Sequence, residues 1–292
     1  MKKNYLITFV SLIVYSFGLV GQSATWELLL ANPNNELVYD IYESQNGDIY
    51  FSGFNSKHPD FGQPWNGLIG ILNKYGQFVD SIIIRYNEKS LIYHTIIPSE
   101  DNNLIISGIK TDAVGPAQNA SIVLNKITSD LNIIDNKEYS FPPSYSVFYQ
   151  FSRKGLNNSF FVAGAIDTIT LRMFIYKFDA ELDSIRARFY LDEVHVAFDI
   201  KEFENGKLWV LTDFPSKYLM LDTNWLITSK TNIPQRLNAN YGVSWDTDSS
   251  FYMVGDWPAL PPLVNNKDVG IVRQYHPTDT TGHLFQTWGK KA

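Results

Sequence analysis

The stretch Val38–Gly53, with the sequence VYDIYESQNGDIYFSG, decides the fold of this chain. It consists of an apolar strand, a tight turn around Asn46 and Gly47, and a second apolar strand that ends in Gly. Related stretches follow it at Tyr93–Gly108, Phe148–Gly164, Ala197–Thr212 and Val243–Gly255. A repeat of roughly 40–50 residues that is built only from short strands is typical of a β-propeller.

A second hairpin follows each of these stretches, so that each repeat supplies four strands, A to D. The five second hairpins are predicted at Leu68–Tyr86, Ser121–Asp135, Met173–Phe189, Tyr218–Lys230 and Val269–Thr287. We therefore predict an all-β fold, a β-propeller of four-stranded antiparallel blades, in which residues 22–292 form a single domain. Five blades are expected. Six remain an alternative, because Thr25–Leu30 and His283–Trp288 compete for the last strand of the closing blade.

The composition restricts the function classes. Of the 292 residues, 45% are hydrophobic and 15% aromatic, which is enough for a large core, and the net charge is −6. Since no basic stretch occurs, nucleic acid is not an expected partner. The chain has no cysteine, which excludes disulfides, thiolate chemistry and cysteine-ligated metal sites.

The N-terminus has the pattern of a signal peptide, predicted to cover residues 1–21. Lys2 and Lys3 precede an apolar run from Tyr5 to Val20, and small residues follow it at Gly21–Ala24. The alternative is a permanent membrane anchor, but the run is short for a spanning helix. We therefore expect a secreted or periplasmic protein that is free of the membrane after signal removal, and a monomer.

An apolar strand that ends in Lys and leads through a turn into another strand recurs, as at Leu68–Lys74 and Ser121–Lys126. This pattern resembles the propeller repeats of secreted bacterial proteins, and the signal sequence resembles those of the Bacteroidetes. The resemblance covers residues 25–288. It implies a fold and a location, and it does not imply an activity.

One recurring polar column lies on the A strands, which line the central channel of a propeller. Its members are predicted to be Asp40, Thr95, Gln150, Asp199 and Ser244. On one interpretation, Asp40 and Asp199 hold a cation or a polar ligand in the channel. On the other, these side chains only make the channel wall wettable. No other cofactor and no metal site are expected.

Two long B–C loops, at Phe54–Asn66 and Asp256–Lys267, lie on one face of the ring. If five blades close the ring, these loops are neighbours and bring four side chains together: His58, Phe61, Trp65 and Trp257. Aromatic side chains on loops can stack on sugar rings or anchor a protein partner. Alternatively, they pack down as lids over the blades.

No catalytic motif is present, so whether the protein is an enzyme stays open. The five histidines form no HExxH motif, and neither a Gly-x-Ser-x-Gly elbow nor an EF-hand loop occurs. The favoured function is a secreted binding module for a glycan or a protein, using the loop face. The alternative is a secreted hydrolase or lyase that acts on a saccharide or lactone through Asp40 and Asp199. A third hypothesis is a structural part of a surface assembly.

Overall fold

The computed structural model describes most of the chain between the first and last predicted strands. The described residues are 35–56, 64–86, 88–112, 119–143, 145–167, 171–194, 196–213, 217–232, 239–245, 250–257, 268–275 and 283–288. The predicted signal peptide and the strand predicted at Thr25–Leu30 lie outside them. Among the described residues, no helix is long and apolar enough to cross a membrane.

The described residues form five sheets, which we number as blades 1 to 5. Blade 1 contains β1 (Asn35–Glu43), β2 (Ile49–Ser56), β3 (Asn66–Leu72) and β4 (Phe78–Ile84). Blade 2 contains β5 (Lys89–Pro98), β6 (Leu104–Asp112), β7 (Ser121–Ile127) and β8 (Ile133–Ser140). Blade 3 contains β9 (Ser146–Lys154), β10 (Phe160–Asp167), β11 (Leu171–Phe178) and β12 (Ser184–Val194). Blade 4 contains β13 (Val196–Glu202), β14 (Leu208–Asp213), β15 (Lys217–Leu221) and β16 (Ile227–Asn232). Blade 5 contains β17 (Ala239–Trp245), β18 (Ser250–Trp257), β19 (Asp268–Tyr275) and β20 (His283–Trp288).

Each sheet is antiparallel, and its strands pair in chain order. This confirms the predicted fold class of four-stranded antiparallel blades, and each blade corresponds to one predicted repeat. The first strands of neighbouring blades contact one another, β1 with β5, β5 with β9 and β9 with β13. These A strands therefore lie nearest the axis, as the prediction requires.

The core lies between blades. Ile69, Tyr93 and Ile106 are completely or almost completely buried between blades 1 and 2. Equivalent clusters fill the spaces between blades 2 and 3 and between blades 3 and 4. Because a middle strand is covered on both faces, β3 is buried along its whole length, whereas the outer strand β8 is mostly exposed.

Every A strand contains one β-bulge, and an aromatic residue or histidine is the extra residue each time. The pairing registers shift at Tyr39, His94, Phe148, Phe198 and Tyr241. The bulge explains the Gly that ends the module in blades 1 and 2. A Cβ on Gly53 would lie 1.8 Å from the Leu37 carbonyl oxygen, and a Cβ on Gly108 would lie 2.3 Å from that of Ile92.

Candidate functional site

Three of the five residues predicted for the polar column occupy equivalent positions in the strand pairing. Asp40, Thr95 and Asp199 each follow the bulged residue of their strand directly, so they occupy equivalent positions. Gln150 does not, because it lies two residues after the bulge of β9 at Phe148, and Phe151 is the residue level with Asp40 when pairs are counted from the A–B turn. Ser244 does not either, because β17 begins at Ala239, before the predicted start of its repeat, and its bulge falls at Tyr241.

Asp40 and Thr95 connect neighbouring A strands across the channel wall. The Ile96 amide donates to Asp40 Oδ2 over 2.8 Å, and the Ser152 amide donates to Thr95 Oγ1 over 3.1 Å. An innermost strand has no partner on its axial side, so its edge amides need acceptors from elsewhere. The polar residues supply those acceptors, which favours a structural role for both side chains.

Asp199 is completely buried and forms an ion pair with Arg153 of the preceding blade. The Arg153 Nε donates to Asp199 Oδ1 over 2.6 Å, and the Ile200 amide donates to the same oxygen over 2.8 Å. Sequence reasoning missed Arg153. The only available signal was a cationic residue near the end of an apolar A strand, and its partner lies 46 residues away.

Asp40 differs electrostatically from Asp199. Burial raises the pKa of the Asp40 carboxyl, and the hydrogen bonds from Ile96 and Ile41 and the positive charge of Arg153 oppose this rise only in part. Arg153 therefore acts on both channel carboxylates. Within the part of the chain that the structure describes, no three carboxylates or histidines are grouped to hold a metal ion.

Four rings form a row of contacts that begins in the middle of two A strands and ends at the loop face, the face that carries the B–C and D–A connections. His94 and Tyr39 have ring centroids 4.8 Å apart, Tyr39 and Phe54 are 6.2 Å apart, and Phe54 stacks on Trp65 at 4.9 Å with an angle of 18°. We call His94, Tyr39, Phe54 and Trp65 the aromatic row. It runs from the A strands of two blades outward to the first B–C loop.

The outer end of the aromatic row is fixed to the next blade. The Trp65 amide donates to Ser90 Oγ over 3.1 Å, and the Leu91 amide donates to the Trp65 carbonyl oxygen over 2.8 Å. Tyr39 is 46% exposed, whereas Phe54 and Trp65 are partly buried. The row is therefore a preformed surface with Tyr39 as its most accessible ring.

The two polar rings of the row are uncharged at neutral pH. Burial lowers the pKa of His94 to about 4, so its imidazole is neutral and can both donate and accept a hydrogen bond. Burial also raises the pKa of the Tyr39 hydroxyl, which therefore keeps its proton. Both groups can thus bind an uncharged polar ligand.

Only one of the four predicted loop-face residues has a described side chain. Trp65 lies on that face and packs against Phe54, a partner that sequence reasoning missed. His58 and Phe61 lie outside the described residues, and Trp257 is the last residue of β18, with no described side chain. The predicted grouping of Trp65 with His58, Phe61 and Trp257 stays a prediction.

Comparison with known proteins supports the fold alone. No family model matches the chain, and none of the curated proteins matches it in sequence. An α-L-arabinofuranosidase from Fusarium graminearum, solved with an iminosugar inhibitor, is similar in structure, with a TM-score of 0.54 and 12% identity over 80% of this chain and 76% of that one. Streptogramin B lyase gives a TM-score of 0.43 with 16% identity, covering 88% of this chain and 85% of that one. Virginiamycin B lyase from Staphylococcus aureus gives 0.42 with 14% identity, covering 86% and 87%. The class of protein is a β-propeller.

Proposed function

We propose that this protein is a secreted β-propeller that binds a glycan on its loop face, with the aromatic row as the binding surface. The observation that supports this most is the row of four contacting rings from two blades, which ends at the loop face and in which Tyr39 is 46% exposed. A protein partner is the competing class of ligand, and the experiment below separates the two.

The chemistry of the row suits a sugar. A pyranose ring presents an apolar C–H face and a rim of hydroxyls, so it needs a flat aromatic surface together with a few hydrogen-bonding groups. Tyr39 and the stacked pair of Phe54 and Trp65 supply the surface. The Tyr39 hydroxyl and the neutral His94 imidazole supply hydrogen bonds. Because Trp65 is already held by its backbone bonds to the next blade, little conformational freedom is lost on binding.

The test is a glycan array probed with the mature protein, residues 22–292, and with two variants. Tyr39→Ala and Trp65→Ala should each lose the signals of the wild type. Tyr75→Ala is the matched control, because this tyrosine is 70% exposed and lies in the C–D turn of blade 1, on the opposite face. An array without hits, or hits that survive both loop-face substitutions in folded protein, would contradict the proposal. Capture of a protein partner through Tyr39 without any glycan binding would favour the competing class.

A second candidate function, a hydrolase or lyase that acts on a saccharide or lactone, is favoured by Asp40. Burial raises the pKa of its partly exposed carboxyl, and the positive charge of Arg153 opposes this rise in part. Perturbed carboxyl groups of this kind are found at acid–base catalytic sites. The other predicted catalytic carboxylate, Asp199, is occupied by Arg153. Turnover of 4-nitrophenyl glycosides or of γ- and δ-lactones that disappears in Asp40→Asn would support this function. Absence of turnover on both panels would eliminate this version.

Secretion and the monomeric state are part of the same proposal. Expression in a bacterial host with an intact export pathway should give a mature chain that begins at Gln22, which N-terminal sequencing measures. Light scattering should give the mass of a single chain. Retention of Met1 would contradict the signal peptide.

A further inference from the structure

A second candidate site lies on the turn face, which carries the A–B and C–D turns and is opposite to the loop face. A cleft of about 530 Å³ opens there between blades 1 and 2. We propose that this turn-face cleft binds a small saccharide, at a site separate from the aromatic row. Tyr42, which lines the cleft, and Tyr39, in the row, are three residues apart in β1, which is about 10 Å along a strand.

The walls of the cleft are two rigid A–B turns. In blade 1, the Ser44 amide donates to the Asp48 carbonyl oxygen and the Gly47 amide to that of Ser44, both over 2.9 Å. In blade 2, the Ser99 amide donates to the Asn103 carbonyl oxygen over 2.9 Å. Both walls are therefore formed before a ligand arrives, and the ordering cost of binding is small.

An ion pair holds the second turn in place. Lys126 Nζ lies 2.7 Å from Asp101 Oδ2. Burial alone would raise the pKa of Asp101, but the hydrogen bonds from Lys126 and Asn103 outweigh it and hold that pKa well below its ordinary value. The carboxylate therefore stays ionised, and the turn stays anchored, throughout the neutral pH range.

The floor of the cleft is aromatic. Tyr50 is buried, and its hydroxyl donates to the Ser129 carbonyl oxygen over 3.1 Å. The ring of Tyr42 lies 6.4 Å from it, centroid to centroid, at an angle of 35°. Tyr42 is only partly buried, so part of its ring faces the cleft as a flat apolar surface.

The remaining lining is polar, and its charges are few. Gln45 and Asn102 supply side-chain amides, for which no hydrogen bond is found among the described residues. Lys154 and Glu100 are the charged residues of the lining, and neither forms an ion pair within the described ranges. A polyanion is disfavoured because the lining contains a single cation, Lys154. An apolar ligand is disfavoured because few of the lining residues are apolar. The hydroxyl groups of a sugar can form hydrogen bonds with the two side-chain amides, and the apolar face of one sugar ring can stack on Tyr42.

The size of the cleft agrees with this ligand class. Small-molecule sites have volumes of roughly 300–1,000 Å³. The cleft lies within that range. We therefore expect it to hold one or two sugar rings.

The test is saturation-transfer NMR on the mature protein with cellobiose, maltose, N-acetylglucosamine and glucuronate as probes. Asn102→Gly removes one amide and keeps the backbone, because Asn102 has a φ of 63°, which glycine adopts without strain. Tyr42→Ala removes the exposed ring. At least one probe should give a transfer signal in the wild type that falls about tenfold or more in both variants.

Two controls separate this site from the loop face. Tyr39→Ala and Tyr75→Ala should leave the signals of these probes unchanged, whereas Asn102→Gly should leave the array hits of the loop face unchanged. The proposal is overturned if none of the four probes gives a signal, if the signal persists in folded Asn102→Gly and Tyr42→Ala, or if Tyr39→Ala alone abolishes it. A preference for glucuronate that Lys154→Met removes would support an acidic sugar as the ligand.

Discussion

Arg153 and Asp199 join the innermost strands of blades 3 and 4 by an ion pair of 2.6 Å in which the carboxylate is completely buried. The pair accounts for one of the two channel carboxylates that the sequence offers as catalytic. The positive charge of Arg153 also opposes, in part, the rise in the pKa of the other, Asp40, that burial causes. The channel wall is thus a joint between blades as well as a polar surface.

Removing Arg153 should destabilise the fold strongly. Arg153→Ala leaves the Asp199 charge buried without its partner, which costs about 3–5 kcal/mol in comparable pairs. The free energy of unfolding in urea measures this. The matched control is Lys137→Ala, whose partner Asp183 is 67% exposed, and its cost should be much smaller because an ion pair at the surface is screened by water. Equal losses in the two variants would contradict a buried joint at Asp199.

Two substitutions at Asp40 should differ in their cost. Asp40→Ala removes the acceptors of the Ile41 and Ile96 amides and should cost about 1–2 kcal/mol. Asp40→Asn removes the charge but keeps an acceptor for only one of these two amides. Because burial raises the folded-state pKa of Asp40, the ionised carboxyl costs stability above that pKa, and removing the charge offsets part of the lost bond. Asn should therefore lose less stability than Ala at pH 7, and a loss as large as that of Ala would contradict this assignment.

His94 should make stability fall in mild acid. Its folded-state pKa is about 4 against an ordinary value of 6.5, so the unfolded chain binds the extra proton between these values. Unfolding free energy should therefore be highest above pH 6.5 and fall by up to about 3 kcal/mol towards pH 4. His94→Gln should flatten this part of the profile, measured as the difference between the two proteins. Parallel profiles would show that His94 is not the group responsible.

Gly53 should tolerate no side chain, because the added Cβ would overlap the Leu37 carbonyl oxygen. Gly53→Ala should cost about 1–3 kcal/mol or more, since either the bulge or β2 must move. The control is Gly206→Ala, where the nearest atom is 3.6 Å away and only the positive φ of 76° opposes alanine. This control should cost about 1–2 kcal/mol. Thermal unfolding of both variants compares them, and a smaller effect at Gly53 would contradict the bulge geometry.

The sequence was sufficient for the blades but not for their register. Alternating and continuous apolar runs, separated by Asn, Asp and Gly turns, predicted all five repeats with their four strands. Gln150 and Ser244 were aligned with Asp40 although the pairing does not make them equivalent. Counted back from the A–B turn, Phe151 and Gly242 are the residues level with Asp40. Both errors lie between the turn and the bulge, where the apolar runs do not determine which residues pair.

Contacts between blades were also beyond the sequence. Arg153 pairs with Asp199, and Tyr39 contacts His94, although the partners are more than 40 residues apart in the sequence. Neither contact has a local sequence motif that would predict it. The turn-face cleft was missed for another reason. Gln45 and Asn102 stand in turns where polar residues are expected on backbone grounds, so their convergence on one cleft becomes visible only when blades 1 and 2 are placed side by side.

The central claim is that the aromatic row is the glycan-binding surface, and calorimetric titration of the strongest array glycan tests it most directly. Tyr39→Ala should raise the dissociation constant by about tenfold or more. This corresponds to about 1.4 kcal/mol of binding free energy, the scale of one lost aromatic contact. Tyr75→Ala should leave it unchanged. Equal affinity of wild-type protein and folded Tyr39→Ala would contradict the claim.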